Sequence, residues 1–186
     1  MKILGIDPGS LKTGYAVIEE KDKKLTCLAS GVIRLNTEQD FNDRLRMVSL
    51  CVTDIIGVHQ PDEVALESLI FVKNPNSLIK LAQTRGAILS AVAVTHSRRI
   101  FEYSPNYIKS AASGHGHSGK LGVQKMLNLV FGQRDFITDD ESDALAVAFC
   151  HLLNRGRNPD ENIVKLKKTK STGLAKALEH RIGDHT

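Results

Sequence analysis

Residues 2–20, KILGIDPGSLKTGYAVIEE, decide the fold. KILGID (2–7) and GYAVIEE (14–20) are short segments rich in β-branched residues, separated by Pro8, Gly9 and Gly14. They read as two antiparallel strands joined by a turn. Working outward, LTCLASGVIRL (25–35) gives a third strand, expected to bend at Gly31. Phe41, Leu45, Val48, Val52, Ile55 and Ile56 recur at helical spacing, which predicts a helix over 40–58 with Asp40 as its cap and Pro61 beyond its end. EVALE (63–67) suits a buried central strand. A longer helix is expected over 76–96, and its second half, GAILSAVAVT, is apolar nearly all round, a pattern that asks for burial on two sides. RIFEY (99–103) reads as a fifth strand, followed by a short helix through residue 112, a GHGHSG loop, and helices over 120–131 and 140–154. Meandering strands followed by alternating helices and strands predict an α/β fold, with a mixed five-stranded sheet flanked by helices.

With 186 residues, 41% of them hydrophobic, the chain can bury a full core without disulfides or structural metal. Cys27, Cys51 and Cys150 are odd in number and far apart, and no C-x-x-C pair occurs, so zinc ribbons and disulfide frameworks are excluded. Pro8 and Asp7 interrupt what would be the apolar run of a signal peptide, and no stretch suits a membrane span, so a cytoplasmic location away from membranes is expected. The net charge of +4 is unevenly placed. Residues 1–154 hold 17 basic and 17 acidic side chains, whereas residues 155–186 hold 8 and 4. We therefore divide the chain into a domain over 1–154 and a basic tail over 155–186, either a loose phosphate-binding arm or a solubilising end. A neutral domain that binds a polyanion must do so through a local arrangement of charges or through recruited cations.

Four carboxylates are candidates for that recruitment. Asp7 ends the first strand and Glu67 the fourth, while Asp140 and Asp143 lie three residues apart at the start of the last helix and share a face. An Asp before a turn is ordinary turn chemistry, and an acid in a first helical turn ordinarily complements the macrodipole. Glu67 neither caps nor turns. If strands one and four are parallel neighbours, both of their acids reach the carboxyl edge of the sheet, where α/β sheets place ligands. Acids converging there repel one another unless cations intervene, and hard, oxygen-seeking Mg²⁺ or Mn²⁺ is the natural partner. Two such ions can activate a water and stabilise the leaving oxygen of a phosphodiester.

The segments IDPGSLKTGYAV, LESLIFVKN with LAQTRG, EYSPNYIKSAASGHGHSGK and DDESDALAVA together resemble the RuvC family of bacterial Holliday-junction resolvases over about residues 1–154. The resemblance implies an RNase H-like fold, a homodimer, and a metal-binding catalytic tetrad falling on Asp7, Glu67, Asp140 and Asp143, with Asp139 off the D-x-x-D spacing. It implies metal-dependent hydrolysis, with two Mg²⁺ per site, that nicks two opposing strands of a four-way DNA junction symmetrically and leaves 5′-phosphate and 3′-hydroxyl ends. A branch-migration helicase complex is the implied further partner. A twofold junction offers two equivalent scissile positions, which an isologous dimer matches; helix 76–96 is either the dimer face or a helix buried twice within one chain. Lys109 and Lys120 match lysines that lie near the DNA backbone in the family, and Arg85 is a weaker candidate for the same work. The sequence departs from the family at Ile70, where many members carry a base-stacking Phe, so that either Phe71 takes over or an aliphatic wedge replaces it. Gly122 stands where a Gln is common.

GHGHSGK (114–120) is no nucleotide loop: Leu121 follows where a Walker A loop needs Ser or Thr, and no strand precedes it. His115 and His117 are either exposed or assist proton transfer. Two rivals from other classes remain: an actin-like or sugar-kinase nucleotide-binding domain, which needs two such domains to enclose its nucleotide, and a non-catalytic junction-binding protein.

Overall fold

The computed structural model describes residues 1–69, 74–113, 120–133, 136 and 138–155. Its five strands are β1 (Lys2–Asp7), β2 (Lys12–Lys21), β3 (Lys24–Arg34), β4 (Glu63–Glu67) and β5 (Ile100–Tyr103), in the spatial order β3-β2-β1-β4-β5. The first three are antiparallel neighbours, and β4 pairs in parallel with both β1 and β5. The β2–β3 hairpin closes through Asp22 and Lys23, with φ of 51° and 63°. That left-handed pair matches the twist of the strands it joins. The expected bend at Gly31 is absent: the ladder passes through it regularly, and the register shifts at Val17/Ile18 instead. Gly31 serves close approach, since a Cβ there would stand 3.0 Å from the Tyr15 ring.

The helices are α1 (Phe41–His59), α2 (Pro75–His96), α3 (Pro105–Ser113), α4 (Lys120–Phe131) and α5 (Asp139–Asn154). Asp40 caps α1 by accepting the Asn42 N–H at 2.8 Å. Asn74 caps α2 in the same way, accepting from Asn76 and Ser77. Pro75 is therefore the first helical residue, where a missing N–H costs nothing, and the helix starts one residue earlier than expected.

Period-two alternation splits the sheet into two faces. Ile3, Ala16, Ile18 and Ala65 pack beneath α3, α4 and α5, against Ile108, Leu127 and Leu145. Leu4, Ile6, Val17, Val64 and Leu66 pack on the other side, against Val48 and Val52 of α1 and Ile88 and Val92 of α2. Asp7 shares the parity of Ile3 in β1, and Glu67 that of Ala65 in β4, so both strand-end acids fall on the α5 face. The buried residues of α2, Thr84, Ile88, Ala91 and Val92, form a single stripe, while Val94 is 83% exposed and Ile79 55%. Among the described residues α2 is buried on one side alone, as the helix lies outermost in its layer.

Glycines let α5 settle directly on the sheet. A Cβ at Gly5 would lie 2.3 Å from the Ala144 carbonyl oxygen, and one at Gly14 would lie 1.9 Å from that of Asp140. Neither distance admits a side chain. Among the described residues no helix is long and apolar enough to cross a membrane.

Candidate active site

Asp7 ends β1 and is followed by a turn held from within. Fully buried Thr13 donates its hydroxyl to the Gly9 carbonyl at 3.1 Å and accepts the Gly9 N–H at 3.3 Å. Ile6 lies opposite Leu66 in the parallel β1–β4 ladder, so the next residues, Asp7 and Glu67, leave the same edge side by side. The first turns of α5 bring Asp140 and Asp143 over that edge.

Electrostatics demonstrates the convergence. Asp7 is pushed up from 3.8 to about 9, first by burial, then by the hydrogen bond and charge of Glu67, then by the charges of Asp143 and Asp140. Glu67, Asp140 and Asp143 thus all act on Asp7. A neutral Asp7 donating to the Glu67 carboxylate is what such crowding produces in the absence of a counter-charge. Asp139 is exposed. Among the described residues no three His, Cys, Asp or Glu side chains are grouped closely enough to hold a metal ion as they stand. Their chemistry nevertheless suits a hard divalent cation: the donors are all carboxylate oxygens, and a bound cation would take the place of the proton on Asp7.

Beside the acids is a hollow of about 200 Å³ lined by Glu67, Asp143 and Lys109 together with the apolar side chains of Ile108, Val123 and Val147. Lys109 accordingly shares a wall with Glu67 and Asp143. Lys120 opens α4. Arg85 requires correction as a DNA contact. Its guanidinium pairs with Glu102 at 2.6 Å and its side chain is 11% exposed, so it joins α2 to β5 and does not present itself to a phosphate. Ile70, Phe71, His115 and His117 lie outside the described residues. A larger, shallower hollow of about 490 Å³ lies at the opposite edge of the sheet. Its acids are engaged: Asp62 accepts the Lys2 N–H, and Glu63 pairs with Arg155 and His151.

Sequence reasoning missed the residues that hold α5 in place. At its C-terminal end His151 is buried, with Nδ1 at 2.7 Å from the Tyr103 hydroxyl and Nε2 at 2.9 Å from Glu63. Burial lowers its pKa, against the opposing effect of Glu63. At the N-terminal end the Ser30 hydroxyl donates to Glu141 at 2.6 Å. A polar residue inside an apolar helical stripe is a signal for such anchors, although it does not name the partner.

A mixed sheet in this strand order, with acids at the carboxyl edge beneath a final helix, is the RNase H-like arrangement of the resolvases. The likeness is direct in solved structures. Thermus thermophilus RuvC in complex with Holliday junction substrate is 27% identical and superposes with a TM-score of 0.76, covering 82% of this chain and 93% of that one. The yeast mitochondrial Holliday junction resolvase shares the fold at 14% identity, with a TM-score of 0.61 over 81% of this chain and 78% of its own. Residues 3–151 match the family model described as "Crossover junction endodeoxyribonuclease RuvC", and the chain belongs to that family. Among its relatives, the RuvC crossover junction endodeoxyribonuclease of Trichlorobacter lovleyi is 40% identical over 82% of this chain and 85% of its own length. That of Citrifermentans bemidjiense is 39% identical over 85% and 96%. Nucleases of this family depend on metal ions.

Proposed function

We propose that this chain is an endonuclease that resolves four-way DNA junctions by hydrolysing one phosphodiester in each of two opposing strands. The observation that carries the reading is the convergence of Asp7, Glu67, Asp140 and Asp143, which holds a proton on Asp7 up to about pH 9. These four residues would hold two Mg²⁺, or Mn²⁺ in their place. Such ions, when bound, supply an activated water on one side of the phosphate and charge stabilisation for the leaving oxygen on the other. Asp7 gives up its proton to become a ligand. Lys109, on the wall shared with Glu67 and Asp143, binds the backbone phosphate and keeps the strand in register with the acids. Ile108, Val123 and Val147 keep bulk water from the inner side of that wall. The products are 5′-phosphate and 3′-hydroxyl ends.

The working unit in this reading is a homodimer. The outer stripe of α2, with Ile79 and Val94 exposed, is the surface available for the twin subunit, and a twofold pair of sites matches the twofold junction. A branch-migration helicase is the further partner this reading expects.

A synthetic four-way junction and a linear duplex of equal sequence, incubated with and without Mg²⁺, test the proposal. Paired, Mg²⁺-dependent nicks confined to the junction are expected; equal cutting of both substrates would mark a general nuclease. Glu67→Gln is expected to bind the junction and leave it whole. Undiminished cutting by that variant would overturn the site, and binding without cutting by the unaltered chain would leave a junction-binding protein.

A further inference from the structure

We propose that Glu141, held by Ser30 of β3, is a positioning residue that sets the rotation of α5 and thereby places Asp140 and Asp143 at the metal site; this rests on the functional reading above. Glu141 is among the few charged side chains that are buried among the described residues, at 7% exposed, and Ser30 Oγ donates to its Oε1 at 2.6 Å across 111 residues of sequence. Burying a carboxylate is costly unless it is hydrogen-bonded. A buried acid in the first turn of the helix, one residue from Asp140, therefore calls for an explanation that macrodipole complementarity does not give, because that effect operates equally well from an exposed position.

The explanation lies in how this helix begins. α1 and α2 start with side-chain caps from Asp40 and Asn74, whereas Thr138, at the cap position of α5, makes no side-chain capping bond. Its hydroxyl is buried and has no hydrogen-bond partner among the described residues. The turn that carries the acids is thus fixed by tertiary contacts. Gly14 supports it from below, with the Asp140 carbonyl too close for any side chain. A flat floor resists vertical movement but not rolling. Successive helical residues are offset by about 100°, so Glu141 stands about 100° from Asp140 and about 160° from Asp143 around the axis. One flank of α5 therefore reaches β3 through Glu141, and the other shares a wall with Glu67 of β4 through Asp143. Rolling the helix moves both aspartates together, and the Ser30–Glu141 bond is a polar restraint on the far flank, added to the packing of the helix.

Three variants separate this role from plain stability and from metal ligation: Glu141→Ala, Ser30→Ala and Glu141→Gln, the last of which still accepts from Ser30. For each, the Mn²⁺ concentration that half-saturates the metal-induced rise in thermal midpoint is measured without DNA, alongside the Mg²⁺ dependence of junction cutting. Loss of residues that orient metal ligands weakens metal affinity by about 10–100-fold. We expect about a tenfold higher half-saturating Mn²⁺ for Glu141→Ala and Ser30→Ala, unchanged metal-free junction binding, recovery to within about twofold in Glu141→Gln, and no further loss in the double Ala variant. Ser30→Ala removes one hydroxyl and remains informative should Glu141→Ala fail to fold. Wild-type metal curves in both Ala variants, even with lowered midpoints, would overturn the proposal, as would Glu141→Gln behaving like Glu141→Ala, which would make the charge itself the active element. If the unaltered chain binds Mn²⁺ but cuts no junction, the functional reading fails while the metal curves still decide the role of Glu141.

Discussion

In the proposed site Asp7 carries two opposite linkages, one to protons and one to metal. Its carboxyl ordinarily titrates near 3.8 and is raised to about 9 in the folded chain, so between those values the folded state binds a proton that the unfolded state does not. The stability contributed by Asp7 is accordingly full below about pH 4 and is lost as pH rises towards 9. In the metal-free protein, Asp7→Asn removes that loss. We expect the thermal midpoint of the variant at pH 8 to exceed that of the wild type, by about 2–4 °C for each kcal/mol relieved, and the difference to vanish near pH 4. A metal must displace the same proton, so the Mg²⁺ needed for half-maximal cutting is expected to fall about tenfold per pH unit between pH 6 and 8, levelling off near pH 9. A Mg²⁺ requirement independent of pH would show that Asp7 enters the site already ionised.

At the scale of the element, α5 is the part on which the site turns. Gly14→Ala puts a methyl group into the Asp140 carbonyl, and overpacking of this kind costs about 1–3 kcal/mol. Because the displaced turn carries Asp140, cutting is expected to fall far more than stability, a split visible by comparing melting curves with single-turnover rates. At the other end of the helix, His151→Leu leaves the Tyr103 hydroxyl and Glu63 without the imidazole between them, an expected loss of about 1–3 kcal/mol read by urea unfolding. His151 has a lowered pKa, so its contribution is present above the ordinary 6.5 and is lost as pH falls below it. The sequence made much of this legible and hid the rest for physical reasons. Asp7 and Glu67 stand out because an acid after an apolar strand is out of place, and the strands themselves follow from period two. Glu141 does not stand out: in a run of acids nothing local says which one is buried, and that depends on a serine 111 residues away. Arg85 was offered on the family resemblance alone, and nothing in the sequence sets Glu102 beside it. The two-sided apolarity of α2 was legible, but among the described residues nothing covers its second side.

The whole molecule combines a domain of balanced charge with a basic C-terminal stretch. A chain ending at Arg155, which keeps the Arg155–Glu63 pair, is expected to melt with the full chain and to cut the junction with the same metal dependence. Its junction affinity is expected to be weaker and to fall less steeply with salt, since fewer lysines displace counterions from the phosphates. Fluorescence anisotropy over a salt series measures both, and an unchanged slope would make residues 156–186 a solubilising end. In the proposed site, Asp7 comes from the end of β1 and Glu67 from the end of its neighbour β4, while Asp140 and Asp143 come from α5, the last of the described elements. A polypeptide still on the ribosome therefore carries an incomplete set until α5 has emerged and docked. On the proposed reading, half-made copies leave the DNA around them whole, and the ability to cut arrives in one late step of synthesis.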